Sequence, residues 1–133
     1  MILYTVDHAN RALPYVRRIV EDIVTEHRRW QEAIVELDLL GAASAPELPD
    51  PRIVALEKRI QSLARDIDGY QRELEEIGVQ LKDRRMGLID FPSEMDGRPV
   101  LLCWRLGETS VQFWHDIDGG YSGRQPLSPS LVG

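Results

Sequence analysis

The chain has 133 residues, of which 29% are charged and 43% hydrophobic, and its formal net charge is -6. This length predicts a single domain over residues 1–133, and the apolar content excludes a disordered chain, which would bury too little to offset its ordering entropy. The acidic surplus argues against a nucleic-acid partner. No apolar run reaches about 18 residues, which argues against a membrane span. One cysteine and an N-terminus without signal-peptide features favour the cytoplasm.

The first predicted helix covers residues 5–40. Large and mostly apolar residues recur in it at alternating steps of four and three. Such a repeat averages about 3.5 residues and keeps one stripe facing a partner helix. Thr5 is the predicted N-cap and Gly41 the predicted C-cap. Pro14 removes one helical hydrogen bond, so we expect a kink or a separate first turn there.

The second predicted helix covers residues 51–87 and follows a Pro- and Ala-rich linker, residues 41–51. Its repeat of threes and fours runs unbroken from Ile53 to Leu81, and Asp50 is the predicted N-cap. Because the linker is short, the two helices are expected to form an antiparallel hairpin. The apolar stripe of this helix is longer than a small sheet can cover, which predicts a homodimer or a higher homo-oligomer.

The period of the apolar residues changes to two after the second helix, which predicts a β-meander of about three strands over residues 88–117. If Leu106 faces Val111, the even residues of the second strand and the odd residues of the third share one apolar face. That register places His115 on the apolar face and Cys103 on the opposite one. Residues 118–133 are predicted to be loop and tail, and the fold class is α+β.

Four segments of the C-terminal half are similar to the closing motifs of a known family: GLIDFP at 87–92, LCWRLGE at 102–108, FWHDID at 113–118 and GRQPL at 123–127. The N-terminal half adds Thr5, Ala9, Asn10, Leu13 and Pro14. With these residues the chain resembles a bacterial family of domains of unknown function, number 2203. The resemblance implies membership of that family and no particular activity.

Histidines are the candidate ligands for a cofactor. His115 lies among apolar residues and between Trp114 and Asp116, and neutral imidazole is the commonest metal ligand in proteins. It is either a ligand for haem or a transition metal, with His27 or His8 as a second ligand, or a buried histidine bonded to backbone or carboxylate. His27 interrupts the apolar seam of the first helix, where a polar residue also serves to fix register.

Cys103 is a candidate nucleophile if a histidine activates it. The predicted register separates it from His115 by the thickness of the sheet, so a Cys-His enzyme is the least favoured hypothesis. The alternatives are a redox-sensitive thiol and, favoured over it, a packed structural thiol.

Arginine and aromatic residues near the C-terminus form the candidate binding surface, because such residues are enriched at the centres of protein interfaces. The predicted surface consists of Arg105, Trp114, Asp116, Arg124 and Gln125. Arg124 has an alternative role, an internal salt bridge to an acidic neighbour such as Asp116. The sequence therefore favours a non-enzymatic interaction module that binds a protein partner, with haem or metal binding through His115 as the alternative.

Overall fold

The structure is a computed structural model that describes residues 2–43 and 50–128. Its elements are α1 Val6–Ala43, α2 Pro51–Glu76, β1 Gln80–Asp83, β2 Leu88–Met95, β3 Arg98–Arg105, β4 Phe113–Asp116, a 3-10 turn Tyr121–Gly123, and β5 Gln125–Pro126. The strands form one antiparallel sheet in the order β1-β2-β3-β4-β5. This confirms an α+β fold with a helical hairpin and raises the number of strands from about three to five.

Helix α1 begins where the sequence predicts and ends later. The backbone N–H of His8 donates to the Thr5 hydroxyl over 3.0 Å, so Thr5 is the N-cap. The helix is continuous through Pro14 and Gly41 as far as Ala43, the last described residue of this part of the chain. A separate first turn and a Gly41 C-cap were therefore both wrong predictions. Residues 44–49 of the predicted linker and 129–133 of the predicted tail lie outside the described residues.

Helix α2 is shorter than predicted. The backbone N–H of Arg52 donates to the Asp50 carboxylate over 2.9 Å, which confirms the cap. The helix ends at Glu76 because Gly78 adopts a positive φ of 80°, a conformation that glycine takes without steric cost. The chain then enters β1, where a continuation of the helix to residue 87 was expected.

The register of the sheet differs from the prediction by one residue between β3 and β4. Leu102 lies opposite Trp114, and Leu101 lies opposite His115. Since side chains alternate between faces, a slip of one residue moves every side chain of a strand to the other face. Trp114 therefore faces the helices, and His115 faces away from them on the same side as Cys103.

The main apolar core lies between the helices and one face of the sheet. It includes Phe91, Leu102 and Trp104 from the strands. Its buried members reach Ile23 on α1 and Ile67 on α2, and the half-buried Trp30 packs against it. Beyond Ile23 and Ile67 the helices continue as a two-helix arm, residues 24–43 and 50–66. Within the described part of the chain, neither helix offers an apolar stretch of the length and hydropathy that a bilayer crossing needs.

Candidate functional site

Three polar side chains from three adjacent strands meet on the sheet face that points away from the helices. Asp90 on β2 lies opposite Cys103 on β3, and His115 on β4 lies diagonal to that cysteine. Their exposed fractions are 2%, 0% and 2%. Their candidate ligand atoms all lie within 4.8 Å of one another. We call these three residues the strand cluster.

The imidazole of His115 is held by both of its nitrogens. Nδ1 lies 2.7 Å from the carbonyl oxygen of Asp116. A carbonyl oxygen can only accept, so Nδ1 carries a hydrogen and donates it. Nε2 lies 3.0 Å from Oδ1 of Asp90, and one hydrogen is shared between these two atoms. The backbone therefore fixes the ring so that Nε2 points at the carboxylate.

Cys103 is a neutral thiol in this environment. Burial, and after it the nearby charge of Asp90, raise the pKa of Cys103 to about 12, although the charge of Arg124 acts in the opposite direction. A thiol with so high a pKa is a poor nucleophile at neutral pH, because the thiolate is the reactive form. The sequence argument that separated Cys103 from His115 was wrong, yet the raised pKa disfavours a Cys-His enzyme on different grounds.

Arg124 covers the strand cluster from the C-terminal segment. Its guanidinium lies 2.6 Å from the Glu108 carboxylate and donates to the carbonyl oxygen of Cys103 over 3.4 Å. The same group stacks over the ring of Phe113 at 4.0 Å and over that of Tyr121 at 4.9 Å. The internal salt bridge of Arg124 thus exists, with Glu108 as the partner in place of Asp116.

The predicted binding surface is divided between the two faces of the sheet. Trp114 and Gln125 are paired across β4 and β5, and Asp116 shares their face and pairs with Arg98 at 3.2 Å. Arg105 lies on the opposite face, which is also the face that Arg124 covers. The five predicted residues therefore do not form one continuous surface.

The other two histidines lie apart from the strand cluster. His27 is half-buried on α1, where its ring stacks on Trp30 at 5.6 Å. Burial lowers the pKa of His27, and the positive charge of Arg84 lowers it further. His8 is exposed and stacks on Tyr4 at 4.5 Å. Across residues 2–43 and 50–128, neither histidine belongs to a group of three candidate metal ligands.

Sequence reasoning missed two residues of this site. Asp90 is flanked by apolar residues in the strand segment LIDF, and a lone carboxylate in such a run is a signal that could have been used. Glu108 carries no comparable signal, because it lies in a predicted turn where acidic residues are common. Its role depends on Arg124, sixteen residues further along the chain.

A family model described as "Uncharacterized conserved protein (DUF2203)" matches residues 2–127. This range contains the strand cluster and all four motifs on which the resemblance was based. Comparisons with curated proteins and with solved structures find no significant match. The chemistry of the site therefore rests on its own geometry.

Proposed function

Because the chain belongs to the DUF2203 family, whose description assigns no activity, we propose a function from the strand cluster: the protein is a metal-binding module. In this proposal Asp90, Cys103 and His115 hold one divalent transition-metal ion. The observation that carries the proposal is the convergence of three different buried donor groups, with their ligand atoms within 4.8 Å of one another.

The donor set favours zinc among the common ions. A thiolate, an imidazole and a carboxylate are the three ligand types that Zn²⁺ takes from proteins. Metal-bound histidines commonly donate their other ring N–H to a backbone carbonyl, which fixes the ring and leaves the second nitrogen free for the ion. His115 has this arrangement, with Nδ1 directed at the Asp116 carbonyl. Haem is less suited, because Nε2 faces Asp90 at 3.0 Å.

The charge balance also supports a divalent ion. The ion would replace the thiol hydrogen of Cys103 and the hydrogen shared by Asp90 and His115. One thiolate and one carboxylate would then neutralise the two positive charges of the ion. Arg124 and Glu108 already neutralise each other beside the cluster. A buried neutral centre avoids the large cost of an uncompensated buried charge.

The proposed role of the ion is to tie β2, β3 and β4 together in a non-enzymatic module. The ligands are at most 2% exposed, which suits a structural or sensing ion better than one that meets a substrate. A reducing compartment such as the cytoplasm suits this role, because the ligand thiol has to stay unoxidised.

Cobalt titration tests the proposal directly. The protein is treated with a chelator, refolded without metal, and titrated first with Co²⁺ and then with Zn²⁺. Visible absorption spectra and calorimetric heats are recorded during the titration. We expect one equivalent of Co²⁺ to give visible d–d absorption bands together with a thiolate charge-transfer band, and Zn²⁺ to abolish both. Cys103→Ser should remove the charge-transfer band, and His115→Gln should weaken binding by more than about 100-fold.

His27→Gln is the matched control, because it removes a histidine that lies outside the strand cluster. It should bind Co²⁺ with the wild-type affinity and spectrum. A wild-type protein that takes up no metal during refolding contradicts the proposal. So does a spectrum that is unchanged by Cys103→Ser.

Protein-partner binding remains a second candidate, carried by an exposed pair. Arg105 donates to the hydroxyl of Tyr121 over 3.3 Å, and Tyr121 is one of the large exposed side chains. Arginine and tyrosine are typical of interface centres. The His115→Gln variant separates partner binding from metal binding. A protein partner that binds this variant as tightly as it binds the wild type would use a surface that does not depend on the metal.

A further inference from the structure

The two-helix arm has an incomplete apolar seam. Of its described residues only Ala33, Leu56 and Leu63 are buried, whereas Ile34 and Ile60 remain half-buried. Two helices alone cannot cover both sides of the apolar stripe between them, and bundles of four helices solve this by adding a second pair.

Apolar side chains also point outwards from this arm. Val35 and Leu39 on α1 are 57% and 68% exposed, and Val54 on α2 is 46% exposed. Val35 and Leu39 are four residues apart, so they lie next to each other on one side of the helix. Clustered exposed apolar residues are typical of interaction surfaces.

The two helices of the arm carry opposite charge. Residues 24–43 of α1 contain four acidic and two basic residues, and the last 14 of them hold only acidic charge. Residues 51–65 of α2 contain four basic residues against one acidic residue, and Asp50 and Asp66 flank this basic segment. The ion pairs found in the described residues of the arm are Arg29 with Glu26 and Arg52 with Asp50. No ion pair there joins the acidic segment of α1 to the basic segment of α2.

We propose that the arm is a homodimer interface, in which α1 of one copy packs against α2 of a second copy around a two-fold axis parallel to the arm. A two-fold axis applies each contact twice, so an acidic α1 meets a basic α2 on both sides of the interface. A second copy of the chain supplies a basic segment for the acidic segment of α1 and an acidic segment for the basic segment of α2. The four helices then form a bundle in which Val35, Leu39 and Val54 become buried.

The mass of chelator-treated protein in solution tests this inference independently of the metal site. Light scattering at about 100 µM should give twice the monomer mass of 15.2 kDa, since weak homodimers form in that concentration range. Val35→Glu with Leu39→Glu should weaken self-association by more than about 100-fold. Because both residues are exposed in the monomer, helical content and melting of the diluted monomer should be unchanged.

A charge-exchange experiment identifies the pairing. One variant carries Glu32→Lys, Glu36→Lys and Asp38→Lys, and the other carries Arg52→Glu, Lys58→Glu and Arg59→Glu. Each variant alone should be monomeric, and an equimolar mixture should form a heterodimer that weakens with salt. A wild type that stays monomeric at about 100 µM overturns the proposal, and so does a mixture that stays monomeric.

Discussion

The sheet buries side chains on both of its faces, and the two faces differ in what they bury. The helix-facing side holds large apolar residues such as Phe91 and Trp104, covered by α1 and α2. The opposite side holds Asp90, Cys103 and His115 under the C-terminal segment. Burial on the first face gains the hydrophobic free energy of folding. Burial on the second is tolerable because Asp90 and His115 are hydrogen-bonded to each other.

The difference divides two tasks between alternate residues of the same strands. On β3, Leu102 and Trp104 pack in the core, while Cys103 between them joins the strand cluster. A substitution on the helix-facing side should therefore lower stability with little change in metal affinity. A substitution in the strand cluster should lower metal affinity and cost the metal-free protein less stability. Three predictions test this separation, in order of decreasing effect on the free energy of unfolding.

The largest loss of stability is expected from Trp104→Ala. Trp104 is fully buried, and its indole N–H donates to the carbonyl oxygen of Glu108 over 3.0 Å. Removal of such a side chain costs about 3–5 kcal/mol through lost burial and the cavity that remains. Urea denaturation measures this loss, and cobalt affinity of the folded fraction should stay at the wild-type value.

Trp114→Ala is the matched control for that substitution. Trp114 lies on the same face but is only half-buried, with the Arg98 guanidinium 5.6 Å from its ring. Its removal should cost clearly less than the removal of Trp104. An equal or larger cost for Trp114 would show that the helix-facing side is not the main source of stability.

The sequence predicted where both helices begin because the signals for a helix start are local. Caps such as Thr5 and Asp50 act within a few residues, and the apolar repeat is read from one segment alone. The end of α2 was missed because Ile77 and Leu81 fit two patterns. Two residues four positions apart lie on the same side of a helix, and they also lie on the same face of a strand. Gly78, with its positive φ, decides between the two.

The strand cluster was not predicted because the β3–β4 register depends on a distant contact. The sequence suggested that Leu106 faces Val111 across a four-residue turn. In the structure the loop is longer, and the backbone N–H of Val111 donates to the side-chain oxygen of Asn10 over 2.7 Å. This contact joins residues 101 positions apart, so local turn rules cannot reveal it. The resulting slip of one residue brings His115 to the face of Cys103.

A smaller loss of stability is expected from Gly87→Ala, at the turn into β2. Gly87 has a φ of 69°, and an added Cβ would lie 2.8 Å from the Cβ of Leu106 and 2.9 Å from a methyl carbon of Val20. Backbone strain and overpacking together should cost roughly 2–4 kcal/mol. Thermal or urea denaturation measures the loss.

Gly97→Ala separates the cost of backbone strain from the cost of overpacking. Gly97 has a similar φ of 77°, but nothing lies within 4 Å of an added Cβ. This variant should show the backbone strain alone, about 1–2 kcal/mol. If the two variants lose equal stability, close packing of the β2 turn against α1 contributes nothing, and the helix-facing side is less tightly packed than we infer.

The smallest effect on stability, and the one most specific to the polar face, concerns the thiol of Cys103. Its pKa is raised from 9.0 to about 12, a difference that lowers the thiolate fraction at neutral pH by roughly a thousandfold. Alkylation of the native protein should be slower than that of the urea-unfolded protein by at least this factor.

The same shift of the Cys103 pKa sets the direction of a pH effect. Between pH 9 and 12 the unfolded chain loses the thiol hydrogen while the folded chain keeps it, so the free energy of unfolding falls as the pH rises. Cys103→Ser lacks a group that ionises in this window, and its stability should fall less steeply there. Rapid alkylation of the native protein at pH 7 would contradict both expectations, since it requires a thiolate in the folded chain, and would restore Cys103 as a candidate nucleophile beside His115.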